Sequence, residues 1–412
     1  VQKKTIGITA TDFAGNKGAA AMLQAIVKNV SAKCNNVDYK LFSVYPKEDK
    51  EQNPYNNLEV VSCKPEQIIF IAFPLAILFY LFKWFKPLKA LLLKNKILRG
   101  FYECDFVVDA AGISYVDSRG FIMNTYNFIC TSTPLLVGKD VIKFSQAMGP
   151  FKTFWNRLWG NLALPKVEKI CARGEITKKH LKDLGLKNIE LCADGAFSML
   201  DDEKATEYVN SVVRKDKFYS NEIIGLSISS VVDGYCRKNG IDYIGIMTRF
   251  INYLNKKGYG VLIIANAARK GKIRPKNNDL VVCQKVYEQV ANKDMCRWYP
   301  EEFTPEIIRD FISKTKILVA SRFHAMIGAL EKQVPVLLIG WSHKYKEVLD
   351  MFEIGDYATD YKKLDYNNLV EQFERLENEY FDVENKIKRN LPKVKQSSYK
   401  NIEIIVDKIK SI

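Results

Sequence analysis

Twice along this chain the same alternation recurs: a short β-rich apolar run, a loop of small residues, then a helix-forming stretch. No other feature constrains the fold as strongly. Strands separated by helices pair in parallel, and their crossovers cover both faces of the sheet. The first series holds strands at Thr5–Thr9, Tyr39–Val44, Leu58–Cys63, Asp105–Ala110 and Val141–Gln146. Its opening, "TIGITATDFAGNKGAAAMLQAIVKNV", predicts a strand, a turn at Gly15-Asn16-Lys17-Gly18 and a helix over Ala19–Val27. The second series begins near Asn221 with "EIIGLSIS", followed by a helix over Tyr243–Lys257 and the strand "YGVLIIAN". Helices over Asp279–Val290 and Pro305–Lys314 follow, then "KILVAS", a helix over Phe323–Lys332, and "VPVLLIG". The expected architecture is α/β, with two Rossmann-like doubly wound domains facing a cleft.

At 412 residues the chain fits two domains at ~150 residues each. The expected boundaries are 1–200 and 221–380, with the charge-rich segment 201–220 as linker and 381–412 as a helical tail. Within that tail, Ile402, Ile405, Val406 and Ile409 fall at helical spacing. A net charge of +15 favours anionic partners: phosphorylated metabolites, acidic lipid head groups or nucleic acid. No zinc-finger, RRM or helix-turn-helix signature supports nucleic acid. The nine cysteines include no C-x-x-C pair, which argues for reduced thiols, a cytoplasmic setting and no zinc site. Val1-Gln2-Lys3-Lys4 leads straight into a strand rather than into an apolar signal segment.

One insert, residues 66–101, stands apart. Ile68 to Phe82 carries no charge, and then Lys83, Lys86, Lys89, Lys94, Lys96 and Arg99 appear among Trp84, Phe85 and several leucines. Fifteen residues of helix span ~22 Å, short of the ~30 Å hydrocarbon core, and Pro74 interrupts the run. Strands on both sides belong to one expected sheet, which a bilayer crossing would divide. Contact with an anionic membrane surface is the favoured reading. A buried helical hairpin, a partner interface and a true span are the alternatives.

The candidate site starts from "ILVASRFHAMIGALEKQVPVLLIG". Ser321 to His324 lie where a strand hands over to a helix, at the carboxyl edge where open α/β sheets bind ligands. Arg322 offers a planar five-donor fork suited to carboxylate or phosphate. His324, one of three histidines, can exchange a proton near neutral pH. The alternative is an ordinary ion pair and a packed histidine. The next strand ends in "GWSHKYKEVLD", which brings Lys344 and Lys346 to the same edge. Arg173 follows another strand. Asn16 lies in the first loop, before a helix N-terminus suited to anions, and Gly112 lies in the small-residue loop "DAAGISYVDSRG". Asp194 either caps the segment after it, the favoured role, or binds a hydroxyl.

Taken in order, these segments resemble the polysaccharide pyruvyltransferase family. "GNKGAAAM" is similar to its Asn/Gly loop and helix, and "DFVVDAAGISYVD" to its strand and small-residue loop. "GKDVIKFSQAMGPF" is similar to its G-K-x-V…G-Q-x-x-G-P element, and "ADGAF" to A-D-P-A-F. "CARGEITKKHLKDLG" follows A-R-[DE]-x-x-S-x-x-x-L-x-x-L-G, departing at Gly174 and Thr177. "SRFHAMIGALEKQVPVLLI" is similar to its Ser/Arg/His-Ala signature. The insert lies outside the family pattern.

The resemblance implies a GT-B-like fold and transfer of the pyruvyl group of phosphoenolpyruvate to two hydroxyls of a sugar, as a ketal. It implies Arg322 and His324 as the catalytic donor-binding pair, with His324 as general acid. Arg173, Lys344, Lys346, Asn16, Gly112 and Asp194 are the expected substrate-binding residues, with Asp109, Asp117 and Asp194 as candidate bases. No metal or cofactor is expected; phosphoenolpyruvate is the donor substrate. The acceptor is expected to be a lipid-linked sugar or polysaccharide precursor, met by a peripheral protein at the inner face of the cytoplasmic membrane. The main rival is a GT-B glycosyltransferase using a nucleotide-sugar on a lipid-linked acceptor. Another retains the family fold and changes the transferred group.

Overall fold

The computed structural model describes residues 3–268, 278–340 and 343–412, the side chains of 343 and 344 excepted. The chain forms two units, and neither is continuous in sequence. One takes residues 1–14, 22–199 and 395–412; the other takes 15–21 and 200–394.

The first unit is built on seven strands: β1 (Lys4–Thr9), β2 (Val37–Ser43), β3 (Leu58–Ser62), β4 (Phe106–Asp109), β5 (Asp140–Gln146), β6 (Lys169–Arg173) and β7 (Ile189–Cys192). They lie in the order β3-β2-β1-β4-β5-β6-β7, all parallel, with Thr9 of β1 beside Asp109 of β4. The second sheet holds β8 (Ile223–Ile228), β9 (Gly260–Ala265), β10 (Cys296–Trp298), β11 (Ile317–Ala320), β12 (Val336–Gly340) and β13 (Ala358–Asp360). Its order is β10-β9-β8-β11-β12-β13, again all parallel. Helices cover both faces, so β4, β8, β11 and β12 are buried throughout, which is why they read as unbroken apolar runs. Each sheet reverses its winding direction once, between β1 and β4 and between β8 and β11. Those are the switch points at whose carboxyl ends doubly wound sheets bind ligands.

The helices that matter for the site and surface are α1 (Lys17–Lys33), α2 (Phe73–Leu81), α3 (Gly120–Leu136), α4 (Phe154–Ala163), α5 (Asp279–Gln289) and α6 (Phe323–Glu331). The expected turn at 15–18 is in part a strand. Gly15 and Asn16 pair antiparallel with Ala268 and Ala267 of the second unit, and α1 starts at Lys17. The Asn16 side chain accepts from the Gly18 N–H at 3.1 Å, so it marks the helix start.

Segment 201–220 is not a bare linker. Asp202 caps a helix over Glu203–Lys215, whose Ala205 and Val209 are buried, and the Thr206 hydroxyl donates to Asp310 at 2.6 Å. Its charges form the solvated face of an amphipathic helix. The tail is a single helix over Tyr380–Ser411. Residues 395–412 belong to the first unit, where Asn401 and Ser398 donate to the carbonyls of Ala193 and Asp194 at 3.0 and 2.7 Å.

The insert is a turn of helix at Pro65–Gln67, a π-turn over Ile68–Ala72, α2, and two short helices at Lys86–Leu92 and Lys96–Glu103. Pro74 lies where the π-turn passes into α2, inside a continuous helical run from Pro65, and its missing N–H removes one helical donor at that irregularity. Ile68, Ala72, Ala76 and Phe79 join the core of the first unit, while Phe70, Ile77, Leu78 and Leu81 face outward. The insert is therefore neither a fully buried hairpin nor a span. Among the described residues, no helix is long and apolar enough to cross a membrane.

Candidate functional site

In the second unit the site grows from the end of β11. Ala320 lies beside Ser227 of β8, and the Ser321 N–H donates to the Ser227 carbonyl at 2.9 Å. Arg322 takes the capping position of α6 with extended backbone, and His324 lies in the first turn. Both flank the β8/β11 switch point.

The Arg322 fork is already held. Its Nε donates to Asp279 Oδ2 at 2.9 Å, and Nη2 donates to Asp279 Oδ1 and to Ser230 Oγ, the latter at 3.3 Å. Asp279, in the first turn of α5, is fully buried and also accepts from the backbone N–H groups of Ser230 and Ala267 at 2.9 and 2.8 Å. Four donors thus converge on one carboxylate, the arrangement a buried charge needs. Burial alone would lower the Arg322 pKa; the charge and hydrogen bonds of Asp279 outweigh it and hold the value above the ordinary one. The bidentate edge expected to face substrate is thus spent on Asp279. Among the described residues Nη1 makes no hydrogen bond.

The His324 ring fills the space beside Gly18. A Cβ on residue 18 would stand 1.9 Å from His324 Nδ1, so only glycine lets the ring lie there. The first turn of α1 is fastened in place. The Lys17 ammonium donates to Glu302 at 2.8 Å, and its N–H reaches the Asn266 carbonyl at 3.3 Å. Asn16 is exposed and spends its oxygen on the Gly18 N–H. Lys346 is not gathered to the strand edge as expected: it donates to Asp350 at 2.7 Å, one turn along its own helix, and both are exposed. The Lys344 side chain lies outside the described residues.

The first unit brings together three of the expected residues. Arg173, at the end of β6, donates through Nη1 to Asp194 Oδ2 at 2.7 Å, and both are buried. Asp194 Oδ1 accepts from the Ala196 N–H at 2.9 Å, which is the cap, so the aspartate caps and pairs at once. Gly112 is their neighbour: a Cβ there would stand 3.8 Å from Arg173 Nη1.

The candidate bases Asp109 and Asp117 are also engaged. Asp109 accepts from the fully buried Lys143 ammonium at 2.6 Å and from the Gln146 amide at 2.8 Å. Asp117 accepts from the Lys152 N–H, the Asn156 amide and the Thr153 hydroxyl at 2.8, 2.7 and 3.0 Å. Burial raises its pKa, but these donors outweigh it and hold the carboxyl below the usual range. Among the described residues, no three His, Cys, Asp or Glu side chains gather as a metal site requires.

Asp279, Ser230 and Gly18 were not singled out in the sequence. Asp279 reads locally as an ordinary acidic helix start after the Asn278 cap, and its arginine lies 43 residues on. Gly18 reads as turn chemistry, and its close approach to His324 exists only in three dimensions.

A sequence profile of the family described as polysaccharide pyruvyl transferase matches residues 16–343. No curated protein matches the chain. Among solved structures, the UDP-GlcNAc 2-epimerase from Neisseria meningitidis bound to UDP-GlcNAc is similar at a TM-score of 0.58 and 13% identity. It covers 99% of this chain and 100% of that one. MnaA from S. aureus, solved with UDP, gives 0.59 and 12% over 99% of this chain and 96% of that one. An α,α-trehalose-phosphate synthase from Burkholderia vietnamiensis gives 0.57 and 9% over 100% of this chain and 97% of that one. At these identities the likeness shows the fold alone, which is GT-B type. The family match spans both sheets and takes in Arg173, Asp194, Arg322 and His324. This chain is a transferase and belongs to the polysaccharide pyruvyl transferase family.

Proposed function

We propose that the protein transfers the pyruvyl unit of phosphoenolpyruvate to two hydroxyls of one sugar in a polysaccharide precursor, forming a cyclic ketal. The observation that carries this reading is the pairing at the β8/β11 switch point: Arg322 is held rigidly with Nη1 uncommitted, and His324 lies two residues on in the first turn of α6. A donor with both a carboxylate and a phosphate calls for a fixed cation beside a group that can deliver a proton.

In the proposed sequence Arg322 Nη1 binds one anionic group of the donor. His324 protonates the vinyl methylene, which becomes the methyl group, and electron density leaves the adjacent carbon. One sugar hydroxyl adds to that carbon and loses its proton. The second hydroxyl then displaces phosphate and also loses its proton. Two protons are released by the hydroxyls; one replaces the proton given to the methylene and the other goes to the departing phosphate, so the step balances. Fixed cations around that phosphate lower the barrier by matching charge as it develops. The acceptor in this reading is a lipid-linked sugar, met at the inner face of the cytoplasmic membrane, where cytosolic phosphoenolpyruvate is available.

The test is phosphate release from phosphoenolpyruvate with a panel of lipid-linked and synthetic glycosides. Mass spectrometry would look for a ketal-linked pyruvate in place of two hydroxyl hydrogens. His324→Ala and Arg322→Ala should each lower turnover by about 10²-fold or more. Consumption of a nucleotide-sugar with indifference to phosphoenolpyruvate would overturn the proposal in favour of glycosyl transfer.

A further inference from the structure

The apolar insert is not the only uncovered apolar part of the first unit. Along α2 and the turn before it, Phe70, Ile77, Leu78 and Leu81 form one outward row, with Phe70 75% exposed. Trp84, 72% exposed, and Phe85 continue it. A second group lies on the first turns of α3 and α4, in sequence regions that carry no such signal. Phe121, Ile122 and Met123 are exposed in succession, Ile122 at 83%, and Phe154 at 69% stands beside the exposed Trp155.

Ring contacts join the two groups. Phe73 of α2 lies 6.1 Å from Phe128 of α3, centroid to centroid, and Phe128 stacks on Trp159 of α4 at 4.5 Å. Trp159 lies 5.8 Å from Trp155, which meets both Phe121 and Phe154 at 5.1 Å. The linking rings of Phe73, Phe128 and Trp159 are half-buried against the core, so one aromatic cluster crosses three helices and surfaces at both ends. Isolated exposed apolar residues are common, but exposed groups joined in this way mark a binding face.

The charges around it point to one occupant. From Gln67 to Tyr102 there are six Lys and Arg and no Asp or Glu. The Lys83 ammonium lies 5.6 Å over the Tyr80 ring and Lys89 lies 4.5 Å over Tyr102, so the cations border the aromatic rows. Next to the exposed Ile71 a cavity of about 490 Å³, of a size for a lipid headgroup, is lined by Lys40, Lys50, Lys94, Lys96 and Arg99 against Glu59 and Glu103, so cations outnumber acids there. The exposed Lys152 and Arg157 flank Phe154 and Trp155. A second copy of this chain would bring like charges together on such a face. A surface of uniform negative charge over an apolar interior satisfies both the rings and the cations.

We propose that this face docks the protein on an anionic lipid bilayer at two places: the outward row of the insert, and the paired tips Phe121–Met123 and Phe154–Trp155. The rows lie in the headgroup boundary of one leaflet, with the lysines at the phosphates. Nothing in this depends on the identity of the donor, so it stands or falls separately from the pyruvyl chemistry.

The test is flotation of the full chain with vesicles of phosphatidylcholine alone and of phosphatidylcholine mixed with phosphatidylglycerol. The protein should float with the mixed vesicles, less so at high salt, and poorly with the neutral ones. Phe154→Ser/Trp155→Ser and Phe121→Ser/Ile122→Ser should each weaken binding by about tenfold or more, with an unchanged unfolding midpoint because these side chains are exposed. Phe70→Ser/Leu81→Ser should do the same. Failure to float with mixed vesicles overturns the proposal. So does normal binding by both the α3 and α4 variants, because the second docking place would then be absent. Loss of a dimer in light scattering, with vesicle binding intact, would make the face a protein interface instead.

Discussion

Both units set an arginine at or just past a strand end and bury an aspartate against it, yet they leave the two arginines in different states. In the first unit Asp194 accepts from Arg173 Nη1 with one oxygen and from the Ala196 N–H with the other. In the second, Asp279 takes two nitrogens of Arg322 and two backbone N–H groups besides. The Arg322 side chain keeps 16% exposure, Arg173 only 5%. An aspartate supplied with that many donors fixes an arginine rigidly without enclosing it. Arg173 is first a fastener between β6 and the turn after β7. Arg322 is held as firmly and keeps more of its side chain at the surface.

Removing the aspartates breaks the comparison most directly. Asp279→Ala should cost about 3 kcal/mol in urea unfolding, because a half-buried guanidinium and two buried N–H groups lose their acceptor. Asp194→Ala should cost about as much, because the more deeply buried Arg173 and the Ala196 N–H lose an acceptor. A loss below about 1 kcal/mol in either variant would mean that its arginine does not depend on the aspartate.

Next come the groups beside Arg322. His324→Ala should lower turnover about 10²–10⁴-fold. Gly18→Ala should also damage turnover, by about tenfold or more, because its methyl displaces the ring. Its unfolding midpoint should fall, since a methyl 1.9 Å from the ring overpacks a buried contact by more than the ~1 kcal/mol that alanine gains in a helix. Full activity in Gly18→Ala would mean that the ring position is irrelevant. Arg322→Lys should raise KM more than it lowers kcat, because one ammonium cannot satisfy Asp279 and an anion together.

Smaller effects belong to the first unit. The Asp117 pKa is depressed on folding, so its stabilisation is present above the unfolded value near 3.8 and is lost as pH falls through the lower folded value. Asp117→Asn should therefore flatten the acid limb of a stability–pH profile, measured by thermal melts. Smallest of all is Gly112→Ala. Its methyl would meet Met22 at 3.5 Å and Arg173 at 3.8 Å, ordinary contacts, so stability should stay within about 0.5 kcal/mol. A sharp loss of turnover without a loss of stability would place Gly112 against the substrate.

The parallel sheets were legible because buried strands must be apolar on both faces, and the runs at Ile223–Ile228 and Val336–Gly340 have no other natural reading. Arg322 and His324 were legible as residues, since strand ends in such sheets face ligands. Their state was not. The Asp279 carboxylate that takes the bidentate edge comes from a helix start unremarkable by itself. Asp202 and the charges after it looked like linker because composition does not reveal a face; only burial of Ala205 and Val209 does. The second apolar group was hidden for the opposite reason. Phe121–Met123 and Phe154–Trp155 are short, and only the ring contacts of three helices make them one cluster.

Residues 395–412 carry a consequence for synthesis. They complete the first unit by bonding the Ala193 and Asp194 carbonyls, and Ser397 accepts from the Ala193 N–H at 3.0 Å. A ribosome makes 200–394 before it reaches them. The first unit, begun first, must wait on the tunnel with its Asp194 turn unfinished while the second unit emerges, although domains commonly fold in order of emergence. A chain stalled before residue 395 would present a finished second unit and an open first one, with the aromatic face of α2, α3 and α4 already made.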